Sequence, residues 1–163
     1  MNMDKKWEKF RYPLWLAVAL LMAWYAFFGY KYQFSYNWGE SMEPTLSHSE
    51  WIVVQKRSSL GKEWSPQKWD VVLIMDEKGE SLCKRIVAIS GDRVRIEDGF
   101  ILINDKPLEN PFAKTPLVSI YDGHDEWEYV VKEGEIWVIG DNIAESWYGP
   151  LPAKNIKGLV VVW

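Results

Sequence analysis

The stretch "LCKRIVAISGDRVRIEDGFILIN", residues 82–104, contains three short apolar runs separated by turn signals. The runs occupy residues 82–89, 93–97 and 100–104, and they are rich in the β-branched residues that strands favour. Asp98 and Gly99 separate the last two runs, and Asp-Gly tolerates the positive φ angles of a two-residue hairpin turn. The stretch therefore predicts β-strands, with a hairpin at residues 98 and 99.

Similar runs lie on both sides of this stretch, each bounded by Gly, Pro, Asn or Asp. They occupy residues 51–55, 70–75, 135–139 and 159–163. No helical period of comparable length competes with them after residue 31. Residues 105–128 are polar and rich in proline, which predicts an excursion or long loop. The expected fold is mostly β: a coiled, partly closed β-sheet domain.

A long apolar segment, "YPLWLAVALLMAWYAFFGY", precedes the predicted strands. Residues 12–30 carry no charge, and nineteen residues are close to the length that crosses a bilayer as a helix. A cleaved signal peptide would place a small-x-small site after the apolar run, whereas the Ala17–Ala19 pair lies inside it. A buried core helix would show a polar face. The segment therefore predicts a single transmembrane helix.

The charges around this segment predict its orientation. Residues 31–42 contain one basic residue, Lys31. The residues before the segment contain four, which are Lys5, Lys6, Lys9 and Arg11. Basic residues are retained on the cytoplasmic side of a membrane. We therefore expect residues 1–11 in the cytoplasm, a transmembrane helix at 12–30, and an extracytoplasmic β-rich domain at 31–163.

Composition excludes some classes of partner and bond. The net charge is −4 and no basic stretch or nucleic-acid motif follows the apolar segment, so we expect no nucleic-acid partner. Cys83 is the single cysteine, which excludes an intrachain disulfide. We read it as a small buried hydrophobic residue.

A serine lies in the stiff turn "GESMEPT", residues 39–45. Gly39 permits backbone angles that other residues avoid, and Pro44 restricts both itself and Glu43. Such a turn can hold the Ser41 hydroxyl still and aim its backbone N–H at a developing oxyanion. Taken alone, the stretch is better explained as an ordinary serine in a Gly/Pro turn, because a serine needs a base to become a nucleophile.

Three residues are candidates for that base. His48 lies in a polar turn and His124 in the loop "YDGHDE", so a Ser-His-Asp triad is possible in principle. Lys84 lies inside the apolar strand 82–89, where burial would lower its pKa toward the value a base needs. Arg85 follows it, and alternation alone does not show which of the two basic residues faces the core.

Three segments, in order, resemble the conserved boxes of bacterial type I signal peptidases. They are "GESMEPTL" (39–46), "KRIVAISGD" (84–92) and "GDNIAES" (140–146), and "KWDVVLI" (68–74) resembles a fourth more weakly. The resemblance runs from the apolar segment to the C-terminus. It implies a membrane-anchored serine endopeptidase with a Ser-Lys dyad and a β-rich catalytic domain. Its implied reaction is the removal of signal peptides from translocated precursors after small-x-small sites, without a metal or cofactor.

The resemblance also implies roles for individual residues. Ser41 corresponds to the nucleophile and Lys84 to the general base, while Arg85 has the place of a structural residue. Some members carry a serine two positions before the nucleophile as a second oxyanion donor. This chain has Gly39 there, so a backbone donor would have to take that role.

The last box implies three supporting residues. Asp141 and Asn142 correspond to a turn that abuts the site, and Ser146 to a hydroxyl that orients the lysine amine. Family members usually continue with x-Asp-Ser-Arg after this serine. Here Trp147-Tyr148-Gly149-Pro150 follows, so the residues that brace the dyad are absent from this position and Asp141 is left to pair with Arg85.

Two alternatives stay open at this point. A paralogue with weakened catalysis would act as a membrane-anchored binding or assembly module, as the shortened last box suggests. A self-cleaving Ser-Lys protease of the repressor type shares the dyad, but such proteins are soluble, and the apolar segment argues against it. For the main reading, the expected partners are secretory precursors and the lipid bilayer.

Overall fold

The structure, a computed structural model, describes residues 4–76, 79–112 and 126–162. In these ranges the chain forms one long helix, α1 (Asp4–Lys31), followed by eleven strands. The strands are β1 (Tyr32–Asn37), β2 (Glu50–Lys56), β3 (Val71–Met75), β4 (Ser81–Ile89), β5 (Arg93–Glu97), β6 (Phe100–Ile103), β7 (Lys106–Pro107), β8 (Glu126–Val130), β9 (Glu135–Ile139), β10 (Gly149–Pro152) and β11 (Ile156–Val162).

The strands form two antiparallel sheets. The larger has the order β1-β2-β11-β3-β4-β9-β10, and the smaller has the order β7-β6-β5-β8. Register shifts interrupt the pairing of β11 with both of its neighbours and of β4 with β9. Such irregularities bend a sheet and increase its twist. The expectation of a mostly β fold with coiled sheets and one N-terminal helix is confirmed.

The predicted hairpin at residues 98 and 99 is present. β5 and β6 pair antiparallel, with Glu97 opposite Phe100. Asp98 has a φ of 49° and Gly99 a φ of 77°, so both central residues are in the left-handed region. This is the conformation of the two-residue turn that matches the twist of the flanking strands.

Four strands were not predicted from the sequence. β1 follows α1 without a break, so the apolar segment obscures it, and β10 carries two prolines that count against a strand. β7 and β8 lie at the ends of residues 105–128, where a loop was expected; residues 113–125 of that excursion lie outside the described residues. β11 begins at Ile156, three residues before the predicted run.

The helix α1 contains the predicted span. Residues Pro13–Lys31 have a mean hydropathy of 1.5, and none of this stretch is buried in the chain. Large side chains such as Trp15, Leu20 and Phe27 are exposed. The helix is therefore not a core helix of this domain, and its apolar surface requires a different apolar environment.

Strand β4 is buried on both faces. Every residue from Cys83 to Ala88 is buried, so this strand reads as a continuous apolar run interrupted by two basic residues. Lys84 and Arg85 are each 2% exposed. Both basic side chains are therefore buried, and because neighbouring residues of a strand point to opposite sides, they lie on opposite faces of β4.

Candidate active site

The turn that carries Ser41 is anchored by two apolar side chains. Met42 and Leu46 are fully buried in a cluster with Ile52, Val54 and Val71. The turn is also held by a backbone hydrogen bond from Leu46 N to Met42 O, 2.9 Å long. The apolar side chains of the turn therefore face inward, and the Ser41 hydroxyl is positioned at the surface of the domain.

Gly39 begins this turn with a φ of 120°, a conformation that side-chain-bearing residues rarely adopt. Its backbone N–H donates to His48 Nδ1 over 3.2 Å. That amide is therefore engaged and is not a free donor for an oxyanion. Among the described residues, no hydrogen-bond acceptor is found for the backbone N–H of Ser41, which leaves this group available.

The end of β9 fixes the other side of the turn. Asn142 N donates to the carbonyl oxygen of Ser41 over 3.0 Å. At Gly140, a Cβ atom would lie closer than 3.0 Å to the Ser41 carbonyl oxygen and to the Ser146 side chain. The backbone of the segment after β9 approaches Ser41 so closely that only glycine fits at residue 140.

Strand β4 brings Lys84 to the same place. Lys84 Nζ and Ser41 Oγ lie 2.7 Å apart, in hydrogen-bond contact. Burial lowers the pKa of the Lys84 amine from about 10.5 to about 8, because a desolvated cation is disfavoured. A substantial fraction of this amine is thus uncharged at mildly alkaline pH and can accept a proton from the hydroxyl.

Two neighbouring groups oppose this decrease in the pKa of Lys84. A thiolate at Cys83 and the carboxylate of Asp141 each raise the pKa of Lys84, by less than burial lowers it. Burial also raises the pKa of the Cys83 thiol to about 11, so this group is neutral at the pH where Lys84 titrates. Asp141 is therefore the charged neighbour that matters in this range.

A cleft of about 660 Å³ opens onto Ser41 and Lys84. Leu82 and two tryptophans supply apolar surface, and acidic side chains surround it. The other lining residues are Trp38, Gly39, Glu40, His48, Asp76, Glu80, Glu145 and Trp147. The cleft is open to solvent, and both Ser41 and Lys84 line it.

On the opposite face of β4, Arg85 and Asp141 form a buried ion pair. Arg85 Nε donates to Asp141 Oδ1 over 2.7 Å, and a second guanidinium nitrogen donates to Oδ2 over 2.6 Å. Asn110 and Thr45 also donate to this carboxylate. Because Thr45 belongs to the Ser41 turn and Asp141 follows β9, this bidentate pair joins three segments around the site.

The arginine has further partners besides Asp141. Arg85 donates to the carbonyl oxygen of Trp69 over 2.9 Å, and its guanidinium lies 4.0 Å from the ring centroid of Phe112. The pairing of Asp141 with Arg85 that the shortened last box suggested is thus present. β10 begins at Gly149, directly after Trp147 and Tyr148, where the expected Asp-Ser-Arg segment is absent.

Ser146 is placed differently from the expectation. Its Oγ accepts a hydrogen bond from Gly140 N over 3.0 Å and donates to the carbonyl oxygen of Trp147 over 2.9 Å. These bonds brace the segment after β9, and among the contacts described none joins Ser146 to the lysine amine. Ser146 therefore acts on the site through Gly140, which itself lies against the Ser41 carbonyl.

The two histidines do not serve as a base for Ser41 among the contacts described. His48 lines the cleft, but its Nδ1 accepts from the Gly39 backbone and its ring lies 5.0 Å from that of Trp38. His124 lies outside the described residues. The described geometry therefore favours the lysine as the base.

Sequence reasoning missed Asn110 and Gly140 as parts of the site. Asn110 is one of several polar residues in a proline-rich stretch, and nothing in its surroundings indicates that it contacts Asp141. Gly140 was quoted within a family-like box, but its contact with residue 41 depends on a crossing of chain segments. Such a contact is a property of the fold and has no local sequence signal.

Comparison with known proteins gives consistent matches. A family model described as signal peptidase, peptidase S26, matches residues 9–163. The chain is 32% identical over 128 residues to signal peptidase I U of Bacillus subtilis, an alignment that covers 74% of this chain and 64% of that one. It is 26% identical over 174 residues to signal peptidase I of Bacillus caldolyticus, covering 98% and 92%.

A solved structure of a signal peptidase I from Enterococcus faecalis superposes with a TM-score of 0.48 at 19% identity. The superposition covers 60% of this chain and 98% of that chain. The present chain spans just under two thirds of the Bacillus subtilis relative.

Proposed function

The chain belongs to the signal peptidase family, peptidase S26, and on that premise we propose that it is a serine endopeptidase that uses Ser41 and Lys84 to remove signal peptides from translocated precursors. The observation that carries the proposal is the 2.7 Å contact between Lys84 Nζ and Ser41 Oγ inside a desolvated environment. A buried amine with a pKa of about 8 is a competent base near neutral pH.

The reaction proceeds through an acyl-enzyme. Neutral Lys84 takes the proton of Ser41 as its Oγ attacks the scissile carbonyl carbon. The Ser41 backbone N–H stabilises the oxyanion. Protonated Lys84 then gives its proton to the leaving amine, and the C–N bond breaks. Lys84 finally takes a proton from a water, whose oxygen attacks the ester carbon. The bond from that carbon to Ser41 Oγ breaks, and Lys84 returns its proton to Oγ, which restores both residues.

The exposed edge of β4 supports an extended polypeptide as substrate. Residues Ser81–Lys84 pair with β3 on one side. On the other side, the pairing with β9 begins only at Arg85, so among the described residues no strand occupies this edge. Leu82 and Lys84 line the cleft from this edge. A precursor segment can add here as a strand and present its carbonyl to Ser41.

The apolar helix and an adjoining aromatic surface support a location at a membrane. We define the aromatic surface as Phe34, Tyr36, Trp38 and Trp51, all exposed, and the last two are 75% and 68% exposed. Aromatic residues with a polar atom favour the membrane–water interface. In this proposal α1 spans the bilayer with its N-terminus in the cytoplasm, and the sheets lie outside.

The decisive experiment compares cleavage of a precursor by the wild-type chain, Ser41→Ala and Lys84→Ala in phospholipid vesicles. Both variants should fold and insert, yet lose at least about 10⁴-fold in kcat/KM. Ser58→Ala and Lys62→Ala, exposed residues of the same types, should cleave normally. A second precursor, in which the small residue before the cut is replaced by a bulky one, should resist cleavage.

The alternative of a catalytically weakened binding module makes the opposite prediction. Such a protein would bind the precursor, and wild-type chain and Ser41→Ala would be indistinguishable in turnover. A Lys84→Ala chain with near-normal turnover would contradict the assignment of the base.

A further inference from the structure

We propose that the junction between α1 and β1 is a rigid strut that holds Ser41 at a fixed offset from the membrane and thereby selects which peptide bond of a precursor is cut. This inference rests on the proposed function and adds a determinant of specificity outside the cleft. Its positioning residues are Lys56 and Ser59.

The helix and the sheet are joined without a linker. α1 ends at Lys31 and β1 begins at Tyr32. The final carbonyl groups of a helix lack partners within the helix. Here the domain contacts two of them: Lys56 Nζ donates to Gly29 O, and Ser59 Oγ lies 2.9 Å from Lys31 O and 2.8 Å from Lys56 O, so its single proton is shared between these two acceptors.

Aromatic rings also contact one another at this junction. The Phe28 ring lies 5.1 Å from that of Tyr32 and 6.2 Å from that of Phe34. The Trp24 ring stacks on Phe28 at 5.6 Å. Polar and aromatic contacts together fix the helix end both along its axis and in rotation, so the last turn of α1 moves with β1 and β2.

The rigid connection continues from the junction to the nucleophile. β1 pairs with β2 along its whole length, from Tyr32 opposite Gln55 to Asn37 opposite Glu50. At its end, the buried Asn37 side chain donates to Ser47 O over 2.9 Å, which closes the base of the Ser41 turn. Six residues of strand extend roughly 20 Å, so a short, paired and unbroken element separates the span from the site.

A fixed distance between Ser41 and the membrane matters because the precursor is also held in the membrane, by its own apolar helix. A precursor leaves the membrane after its own apolar helix, and its extended chain advances about 3.3 Å per residue. The bond that reaches Ser41 is therefore set by the distance from the end of that helix, in addition to the small residues beside it. A flexible junction would allow several bonds to reach Ser41.

The test uses the full chain in vesicles of phosphatidylethanolamine and phosphatidylglycerol. The precursor carries two identical Ala-x-Ala sites separated by about six residues, roughly 20 Å of extended chain. The variants are Lys56→Met with Ser59→Ala, and an insertion of Gly-Ser-Gly-Ser between Lys31 and Tyr32. Lys62→Met is the matched control, because this exposed lysine has no described contact with the helix. A short soluble peptide with one site, in detergent, reports catalysis without tethering.

We expect wild type and Lys62→Met to prefer one of the two sites by about tenfold or more. The loosened variants should cut both sites within about threefold of each other, since a charge-assisted hydrogen bond contributes on the order of a tenfold bias. Cleavage of the soluble peptide should stay within about twofold for all four chains, because Ser41 and Lys84 are untouched.

Two results would overturn the inference in different ways. If the loosened variants keep the wild-type preference while cutting the soluble peptide normally, the strut does not select the site and the proposed function stands. If the wild-type chain cuts neither substrate, the proposed function fails and the strut fails with it.

Discussion

Lys84 is the residue on which the proposed chemistry depends, because its amine must lose a proton before it can take one. Its side chain reaches Ser41 from a strand that is buried on both faces, and no other described group contacts the hydroxyl. The position tolerates a cation poorly, which is the property that makes the lysine useful as a base. The burial that destabilises the charged form of Lys84 is therefore also what lets its neutral amine act as the proposed base.

The pH dependence of turnover follows from this pKa. Burial depresses the pKa of Lys84 to about 8, so the neutral base forms as the pH rises through that value. We expect kcat/KM to rise about tenfold per pH unit below pH 8 and to level off above it. Initial rates between pH 6 and pH 10 with a soluble peptide would measure this. Lys84→Arg should show no rate at any pH in this range, because a guanidinium keeps its proton.

Gly140 gives a second prediction at the scale of one residue. Alanine there would place Cβ closer than 3.0 Å to the Ser41 carbonyl oxygen and to Ser146. The nucleophile would shift, and a displacement of about 1 Å costs on the order of 100-fold in kcat. Peptide turnover and the free energy of unfolding should be measured together for Gly140→Ala.

Gly158→Ala is the control for this experiment. Its Cβ would also lie closer than 3.0 Å to backbone, at Gln55, but in the pairing of β11 with β2 and away from the cleft. We expect it to lower stability while leaving kcat of the folded fraction unchanged. Equal losses of kcat in the two variants would show that the effect of Gly140→Ala is general destabilisation.

At the scale of elements, the buried pair of Arg85 and Asp141 joins β4, the segment after β9 and the Ser41 turn. Removing one partner leaves the other charge buried and uncompensated. Asp141→Asn should therefore lower the free energy of unfolding by about 3–5 kcal/mol, as urea titration in detergent would measure. Asp105→Asn, which disrupts an exposed pair with Arg93, should change it little.

The same substitution has a kinetic consequence with a defined sign. The Asp141 carboxylate raises the pKa of Lys84, so removing its charge should lower that pKa below about 8. The midpoint of the rate profile for Asp141→Asn should therefore move to lower pH. A midpoint that stays in place would show that the carboxylate acts on the lysine through structure alone.

The elements also show what the sequence can predict. β4, β5 and β6 were predicted within one residue at every end, because β-branched runs and the Asp98-Gly99 turn are local signals. β1 and β10 were missed, since a preceding helix and two prolines obscure patterns that tertiary pairing nevertheless stabilises. Ser41 and Lys84 were predicted as the catalytic pair from their local surroundings and a family resemblance, and the structure brings the two side chains into contact. The contact of Gly140 with Ser41 and the role of Ser146 depend on segments that meet only after folding.

At the scale of the whole molecule, the orientation of the chain is the remaining prediction. The native thiol of Cys83 is buried, so it should not react with a membrane-impermeant maleimide. A single exposed cysteine therefore reports topology directly. Lys62→Cys should be labelled in intact cells from outside, and Lys6→Cys only after permeabilisation. The reverse pattern would contradict a cytoplasmic N-terminus.

The edge strand of the large sheet, β10, affects how readily the protein could aggregate through strand pairing. Pro150 and Pro152 occupy alternate positions of this edge strand, so their two nitrogens, which carry no hydrogen, lie along the same side. Because the free edge of β10 lacks these two N–H donors, a strand from another chain cannot pair with it through a continuous ladder of backbone hydrogen bonds. The molecule is thereby protected against aggregation at one end of its large sheet, which would matter most in the setting proposed above, where unfolded precursors are the substrates.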